Sequence, residues 1–265
     1  MRETFTRDGF VIARGVLDGA DIARLRAALL DHFSRQWEQE GLGRHQPRAA
    51  LEIPSIGWIF SHPGITATVK ELTGSPTPVF TTNCDAHMNM LSWWHKDTGE
   101  GLGGCFEGDY FNRDTVRVCR AGIYLQDHET NSHGLHVRTG SHHTKDLKHG
   151  PAVTLHTRAG DVVFFDIRLT HAGQFADPFE KLLLRAGRHL PHPAIAPRLK
   201  NAWSRALRKP SKLSIFFTYG APNPDTDQYC RFEMSARRQA GTARALPESV
   251  TLGLPVQGLL VPEMS

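Results

Sequence analysis

Two short stretches that lie far apart in the chain constrain its fold most. The first, residues 94–97 (Trp-His-Lys-Asp), closes a run of apolar and amide residues; the second, residues 161–171, is a hydrophobic run that ends on a histidine. Side chains alternate between the two faces of a strand, so His95 and Asp97 point to the same side. When His171 arrives on a neighbouring strand, two imidazoles and one carboxylate face a common point. The pattern therefore predicts a β-rich fold that joins these two strand ends.

The three side chains form a ligand set that suits one metal ion. Two histidines and one carboxylate are the facial triad of non-haem Fe(II) oxygenases, which leaves coordination positions for a cosubstrate and O2. The His-x-Asp pattern alone is weak in a chain with 15 histidines, and a chance match is the alternative. The strand-like surroundings favour the site, so His95, Asp97 and His171 are the predicted Fe(II) ligands and catalytic centre.

The segment between the two stretches resembles a known family. Residues 120–127 (RAGIYLQD) and 134–142 (GLHVRTGSH) are similar to the strand, loop and Gly-Ser-His turn of the phytanoyl-CoA dioxygenase family. Residues 5–17 resemble the opening of that family, and residues 62–74 resemble its second helix. The elements match in the same order, so the resemblance extends from about residue 5 to about residue 220.

The resemblance implies both a fold and an activity. The fold is mainly β with flanking helices, a double-stranded β-helix (jelly roll, or cupin-like barrel). The activity is that of an Fe(II)- and 2-oxoglutarate-dependent dioxygenase that hydroxylates a small molecule with O2 and releases succinate and CO2. Related halogenases lack the carboxylate ligand, so Asp97 implies hydroxylation or another oxidation. The alternative is a cupin-like barrel that binds a metal or another ligand without turnover.

Length and composition fit one globular domain. A chain of 265 residues, 40% hydrophobic and 22% charged, is expected to form a single oxygenase domain over residues 1–265. No apolar run approaches a membrane span, and the N-terminus lacks the apolar region of a signal peptide. The four cysteines form no Cys-x-x-Cys pair, which favours free thiols. We therefore expect a cytoplasmic protein without a membrane partner.

Two helices precede the strands. Asp18 and Asp21 have the spacing of a capping box, and apolar residues at helical spacing predict a helix over residues 19–36. A second helix is predicted between Pro63 and Gly74, and both helices are expected to pack outside the barrel. The polar segment 38–54 contains glycines and prolines and is predicted to be a loop near the mouth of the site.

Two polar side chains are candidates for binding the cosubstrate. Residues 86–94 read as a strand, and counting back in twos from His95 places Asn89 on the side that faces the site. A satisfied core amide is the alternative for Asn89. Tyr124, in the strand-like run 118–125, is placed to aim its hydroxyl at the cosubstrate. The alternative for Tyr124 is a half-buried position in the sheet.

About forty residues follow His171 before the next strand-like run. Within this insertion, residues 172–211, the pattern predicts a short helix from Pro178 to Gly187 and an amphipathic helix with apolar residues from Leu199 to Leu207. The insertion is interpreted as a lid or a wall for the substrate; a contact in a homo-oligomer is the alternative. Its basic residues are interpreted as a solvated face. A nucleic-acid partner is the weaker alternative.

The distal carboxylate of 2-oxoglutarate needs a cation. The family usually supplies an arginine at the start of the strand after the distal histidine, and here the aligned residue is Lys212. A lysine anchors a carboxylate as a point charge, without the two-pronged geometry of an arginine. The alternative anchors are Arg185 and Arg188 in the insertion.

Overall fold

In a computed structural model, two antiparallel sheets form the body of the protein. The structure describes residues 1–99, 104–130, 133–187, 189–192, 194–239 and 241–262. The strands are β1 (Phe10–Ala13), β2 (Glu38–Glu40), β3 (Gly43–Pro47), β4 (Val79–Met88), β5 (Val118–Tyr124), β6 (His136–Arg138), β7 (Ala152–Thr154), β8 (Val162–Asp166), β9 (His171–Ala172) and β10 (Leu213–Gly220). The helices are α1 (Arg2–Asp8), α2 (Gly19–Arg35), α3 (Ala49–Glu52), α4 (Pro63–Thr73), α5 (Pro178–Gly187), α6 (Ile195–Ala206), α7 (Pro224–Gln239), α8 (Glu248–Thr251) and α9 (Gly253–Val256), with 3-10 turns at Pro54–Ser61 and Ser141–His143.

The strand order is that of a jelly roll. The larger sheet has the order β1-β8-β5-β10-β4-β3-β2, and the smaller has the order β7-β6-β9. An isolated antiparallel bridge between His95 and His171 adds a fourth short segment beside β9. The prediction of a double-stranded β-helix with flanking helices is confirmed.

The central strands β5 and β10 are buried along their whole length, which explains their continuous apolar sequence. One face of the larger sheet packs against α2 and α4 through a core that includes Leu29, Val69 and Phe217. The other face packs against the smaller sheet through a second cluster that includes Val137 and Phe165. The helices thus fix the larger sheet from outside, and the two sheets enclose the interior.

Both predicted outer helices are confirmed. Asp18 and Asp21 form the reciprocal capping box at the start of α2. Helix α4 ends at Gly74, which has φ of 66°, a left-handed conformation that glycine adopts without a steric cost. None of the helices in the described part of the chain has the length and apolar character needed to cross a membrane. The four cysteines are free and buried.

Two local predictions were wrong. Residues 38–54 are not a loop: β2 and β3 form a hairpin at the edge of the larger sheet, with β3 paired to β4, and α3 follows. The edge position explains why polar residues predominate there. The predicted strand over residues 86–94 ends at Met88, because Asn89 has φ of 55°, outside the extended region.

The insertion contains the two expected helices, α5 and α6. The predicted apolar stripe of the second helix does not face the core, however: Leu199, Trp203 and Leu207 are each about half exposed (50%, 47% and 48%). Lys200 is buried instead, because its ammonium group pairs with Glu180 at 2.9 Å. The buried residues of α6 are thus Lys200, with its ion pair, and Ala196 and Pro197, which hydrophobic periodicity alone does not predict.

Candidate active site

The two predicted histidines are joined through the backbone. His95 N donates to His171 O and His171 N donates to His95 O, each at 2.9 Å, and the ring centroids lie 4.3 Å apart. Asp97 N donates to Ile167 O at 3.0 Å, directly after the end of β8. These bonds hold the His-x-Asp segment against the chain between Ile167 and His171. Apart from the isolated bridge at His95, the segment is not the strand that the prediction assumed.

The three side chains converge at one point. The Nε2 atoms of His95 and His171 lie 3.5 Å and 3.6 Å from the carboxylate oxygens of Asp97. One ligand atom from each residue lies within 4.8 Å of the other two. The His95 side chain is 46% exposed and that of His171 is 7% exposed, so the cluster lies at the boundary between the interior and the cavity mouth.

The orientation of the imidazoles fits metal binding. His95 Nδ1 lies 2.6 Å from Trp93 O, and His171 Nδ1 lies 3.0 Å from Leu169 O. A carbonyl oxygen can only accept, so each Nδ1 carries a proton and each Nε2 is directed at Asp97. Burial tends to lower the pKa of His95, but its hydrogen bond to Asp97 and the charge of that carboxylate raise the pKa above its usual value. Metal-bound histidines are held in this way, with the second ring nitrogen donating to a backbone carbonyl. His95, Asp97 and His171 could therefore hold one metal ion.

A buried arginine fixes the carboxylate. Arg120, on β5, donates to Asp97 at 2.9 Å and also pairs with Asp85 on β4. Burial alone would raise the pKa of Asp97, but Arg120 and the imidazole of His171 lower it well below its usual range. Burial lowers the pKa of His171 to about 4, so this ring is neutral at pH 7. Asp97 is thus ionised and His171 is unprotonated, the states that a metal ligand requires.

The turn before His171 is locked by a second buried arginine. Arg168 forms two hydrogen bonds with the carboxylate of Asp166, at 2.9 Å and 2.7 Å. Its remaining N–H groups donate to the carbonyl oxygens of Tyr110, Arg113 and Val116. The guanidinium therefore ties the end of β8 to the loop before β5.

The ligand cluster lies on a cavity of about 440 Å³ between the two sheets. One wall is apolar and includes Leu91, Leu135 and Phe216. The polar residues that line the cavity, apart from the three converging side chains, come from the hairpin, β4, β5, β10 and the segments beside these strands: Glu40, His45, Asp85, His87, Ser92, Arg120, Tyr124, Gln126, His133, Gln174, Lys212 and Ser214. A cavity of this size accommodates two small molecules of modest size at most.

Lys212 lies in the cavity, where its ammonium group donates to Gln174 Oε1 at 2.7 Å. Burial is the main effect that lowers the pKa of Lys212 to about 8, assisted by the charges of Lys200 and Lys209. Arg185 is exposed and does not line the cavity. Arg188, the other candidate anchor, lies outside the described residues. The geometry thus favours Lys212 over Arg185.

The two remaining candidates differ in position. Tyr124 lines the cavity, and its ring packs edge-on against Phe216. Asn89 does not line the cavity: its Oδ1 accepts from Lys212 N at 2.9 Å. The predicted contact between Asn89 and the cosubstrate assumed that the strand continues through residue 94, but β4 ends at Met88. Its amide serves instead to hold the backbone of Lys212.

A polar wall faces the mouth of the cavity. His45 Nδ1 lies 3.0 Å from Glu40, and His45 Nε2 lies 3.5 Å from Asp85. Burial tends to raise the pKa of Asp85, but hydrogen bonding to His45 and the charge of Arg120 lower it to about 2. Burial lowers the pKa of His87, the next inward residue of β4, to about 3. This wall thus combines the ionised carboxylate of Asp85 with the neutral imidazole of His87.

Sequence reasoning missed Arg120, although a signal was present. Residues of one strand face share parity, so Arg120 and Gly122 lie on the same face of β5 as Tyr124, which was already a candidate. Gly122 leaves space for Phe216, because a Cβ there would lie 2.6 Å from its ring. By the same alternation, Ser214 lies on the same strand face as Lys212, two positions earlier. The hairpin residues carried no such signal, since their strands were not predicted.

A jelly roll with two histidines and an aspartate converging at its mouth is the architecture of Fe(II)- and 2-oxoglutarate-dependent enzymes. The sequence model of the phytanoyl-CoA dioxygenase family matches residues 5–175, more than half of the chain. The chain belongs to the phytanoyl-CoA dioxygenase family, whose members use Fe(II) and 2-oxoglutarate. It is thus an Fe(II)- and 2-oxoglutarate-dependent enzyme, and the alternative of a barrel without turnover is not favoured.

Several solved structures share this fold at low sequence identity. SnoN, a non-haem α-ketoglutarate-dependent epimerase from nogalamycin biosynthesis, is 20% identical, with a TM-score of 0.58 over 83% of this chain and 81% of SnoN. EctD from S. alaskensis, solved with 2-oxoglutarate and 5-hydroxyectoine, is 15% identical, with a TM-score of 0.57 over 83% and 74%. HygX from Streptomyces hygroscopicus, solved with nickel, 2-oxoglutarate and hygromycin B, is 15% identical, with a TM-score of 0.57 over 84% and 88%. Comparison with curated proteins gave no match.

We expect Arg120→Met to destabilise the fold strongly. The change leaves Asp85 and Asp97 buried without their shared cation, and removing one partner of a buried ion pair costs about 3–5 kcal/mol of unfolding free energy. Urea unfolding measures the change. Arg158→Met is the control, because Arg158 pairs with Glu129 at the exposed surface and its loss should leave the unfolding free energy nearly unchanged. Equal effects of the two substitutions would contradict the structural role of Arg120.

Proposed function

We propose that the enzyme holds Fe(II) through His95, Asp97 and His171, binds 2-oxoglutarate through Lys212, and hydroxylates a small molecule. The observation that carries the proposal is the convergence of three ligand atoms within 4.8 Å at the edge of the cavity that also contains Lys212. When bound, the metal and the cosubstrate supply the oxidising chemistry, and 2-oxoglutarate is converted to succinate and CO2.

The protein contributes geometry and charge. Arg120 holds Asp97 through one carboxylate oxygen, and the carbonyls of Trp93 and Leu169 hold the two imidazoles. These partners keep the ligand atoms in place before any metal arrives. Ligand pre-orientation of this kind typically raises metal affinity or activity by about 10- to 100-fold.

Lys212 is the proposed anchor for the distal carboxylate of 2-oxoglutarate. Its ammonium group is tethered by Gln174, and its backbone is fixed by Asn89. Ser214 and Tyr124 line the same part of the cavity and supply hydroxyl groups for further hydrogen bonds. An ammonium group at this position replaces the usual arginine as a point charge.

The substrate is proposed to enter along the polar wall of Glu40, His45, Asp85 and His87. These side chains offer hydrogen-bond acceptors on the side opposite the apolar residues. Hydroxylation is the proposed outcome. Two neighbours with this fold are described as an epimerase and a carbocyclase, so a mass measurement on the product is the direct check on reaction type.

The cysteines and the exposed apolar residues bear on the cellular compartment and on the partners of the protein. Four free, buried cysteines support a reducing, cytoplasmic environment. The exposed apolar residues in and directly after α6 (Leu199, Trp203 and Leu207) support a contact with a second copy of the chain as the alternative role for the insertion. A small molecule, rather than a nucleic acid, is the proposed substrate.

We expect His171→Ala to abolish both iron binding and turnover. The change removes one of three ligands, so iron stoichiometry after anaerobic loading and succinate formation from 2-oxoglutarate should both collapse. His149→Ala, an exposed histidine, is the matched control and should behave as wild type. Wild-type iron content in the His171 variant would refute the ligand assignment.

We expect Lys212→Ala to raise the apparent KM for 2-oxoglutarate by about 10- to 100-fold, because one charge-assisted hydrogen bond is lost. Iron binding should persist.

Because the pKa of Lys212 is lowered to about 8, the wild-type ammonium group is charged below that pH and loses its proton above it. The apparent KM should therefore rise as the pH passes about 8 in the wild type and stay level in Lys212→Arg. Unchanged values in Lys212→Ala would exclude Lys212 as the anchor.

The insertion is proposed as a lid over the cavity. Its residues Leu183 and Ala196 share a small apolar cluster with Leu42 of the hairpin and the cavity-lining Leu91. So small a cluster gives little resistance to local opening. Amide exchange in α5 and α6 should be faster than in β5 and β10, and should slow when metal and 2-oxoglutarate are added. Equal protection of helices and strands in both states would argue against a lid.

A further inference from the structure

A second cavity lies directly behind the polar wall of the active site. Its volume is about 130 Å³, and it is bounded by β4, by the residues that open α3 and by the C-terminal half of α7. Asp85 lines both cavities. The proposed function gives the second cavity no role.

The wall of this cavity contains a buried guanidinium group with unused donors. Arg237 is 4% exposed, and its Nη2 donates to Thr82 O at 2.7 Å. Its Nε and Nη1 atoms are buried and have no hydrogen-bond partner among the described residues. Arg48 Nε is also buried and has no hydrogen-bond partner among these residues. Leaving charged donors unsatisfied in the interior is costly, so a ligand that accepts hydrogen bonds there is strongly favoured.

The local charge balance is positive. Asp85 is already paired with Arg120 and His45. Glu38 reaches Arg48 at 3.6 Å but is itself largely exposed. The remaining carboxyl group, Glu233, is half-buried, and burial is the main effect that raises its pKa. Two guanidinium groups thus line the cavity with two carboxyl groups, Asp85, which is paired elsewhere, and the weakly acidic Glu233.

We propose that this cavity binds a small monovalent anion, a halide or a short monocarboxylate, through the donors of Arg237 and Arg48. An anion accepts hydrogen bonds from both arginines and offsets their charge, which a water molecule cannot do. The Arg48 side chain is 24% exposed, so the anion enters from the solvent side, without passing the metal ligands.

Bromide tests the proposal on the full-length protein, with no turnover required. Crystals soaked in sodium bromide should show an anomalous peak within hydrogen-bonding distance of Arg237, and bromide should raise the unfolding temperature in a saturable way at constant ionic strength. Sodium formate tests the monocarboxylate arm by the same thermal shift. Arg237→Gln should remove the peak and raise the half-saturating bromide concentration about tenfold or more. Arg231→Gln, an exposed arginine of the same helix, is the control and should behave as wild type.

Glu233→Gln provides a second variant that keeps both arginines. It removes the competing carboxyl group, so the half-saturating bromide concentration should fall several-fold. This test remains available even if Arg237→Gln fails to fold. Water alone in the cavity at high bromide would overturn the proposal. A bromide peak that survives Arg237→Gln would mark an adventitious ion only and would equally overturn it. A thermal shift that is the same in wild type and Glu233→Gln would also count against the site.

Discussion

The site depends on one pair of backbone hydrogen bonds, those between His95 and His171. After β4 ends, residues 89–94 have no regular ladder partner, so the chain reaches the site as an irregular segment. The reciprocal bonds join this segment to β9 and bring together two side chains that are 76 positions apart in sequence. Since backbone pairing fixes both Cα positions, ligand geometry follows from the sheet itself. The side chains then need only local carbonyl partners to fix their rotation.

Electrostatics at the site are dominated by a single guanidinium that serves two carboxylates. Arg120 joins Asp85 of β4 to Asp97 at the ligand cluster, all three in a buried environment. A buried ion pair seldom adds net stability relative to an apolar core, so its presence is better explained by the orientation it imposes. One positive charge between two negative ones leaves the cluster with a surplus of negative charge, which favours the arrival of a divalent cation.

Much of the fold and of the site could be predicted, because those parts obey strong local rules. Helix α2 follows its capping box and helix α4 ends at a glycine. The His-x-Asp pair was proposed from strand alternation, although in the structure only His95 of that segment forms a ladder bridge. The failures have physical causes of another kind. The hairpin β2–β3 is an edge element whose polar sequence carries no strand signal, and Asn89 ends a strand through one left-handed residue. Arg120 was overlooked because its role depends on partners from two other segments.

Asn89 shows how such a local departure can serve the whole site. Its left-handed backbone, which asparagine adopts more readily than most residues, ends β4 and turns its side chain toward β10. There it pairs with Lys212 twice: Asn89 N donates to Lys212 O, and Asn89 Oδ1 accepts from Lys212 N, each at 2.9 Å. The carbonyl oxygen of Asn89 also accepts from Lys200 of α6 at 3.0 Å. One residue thus connects the strand end, the proposed cosubstrate anchor and the insertion. Displacement of α6 would break a hydrogen bond to the same residue that positions Lys212, so the insertion and the proposed anchor share one contact residue.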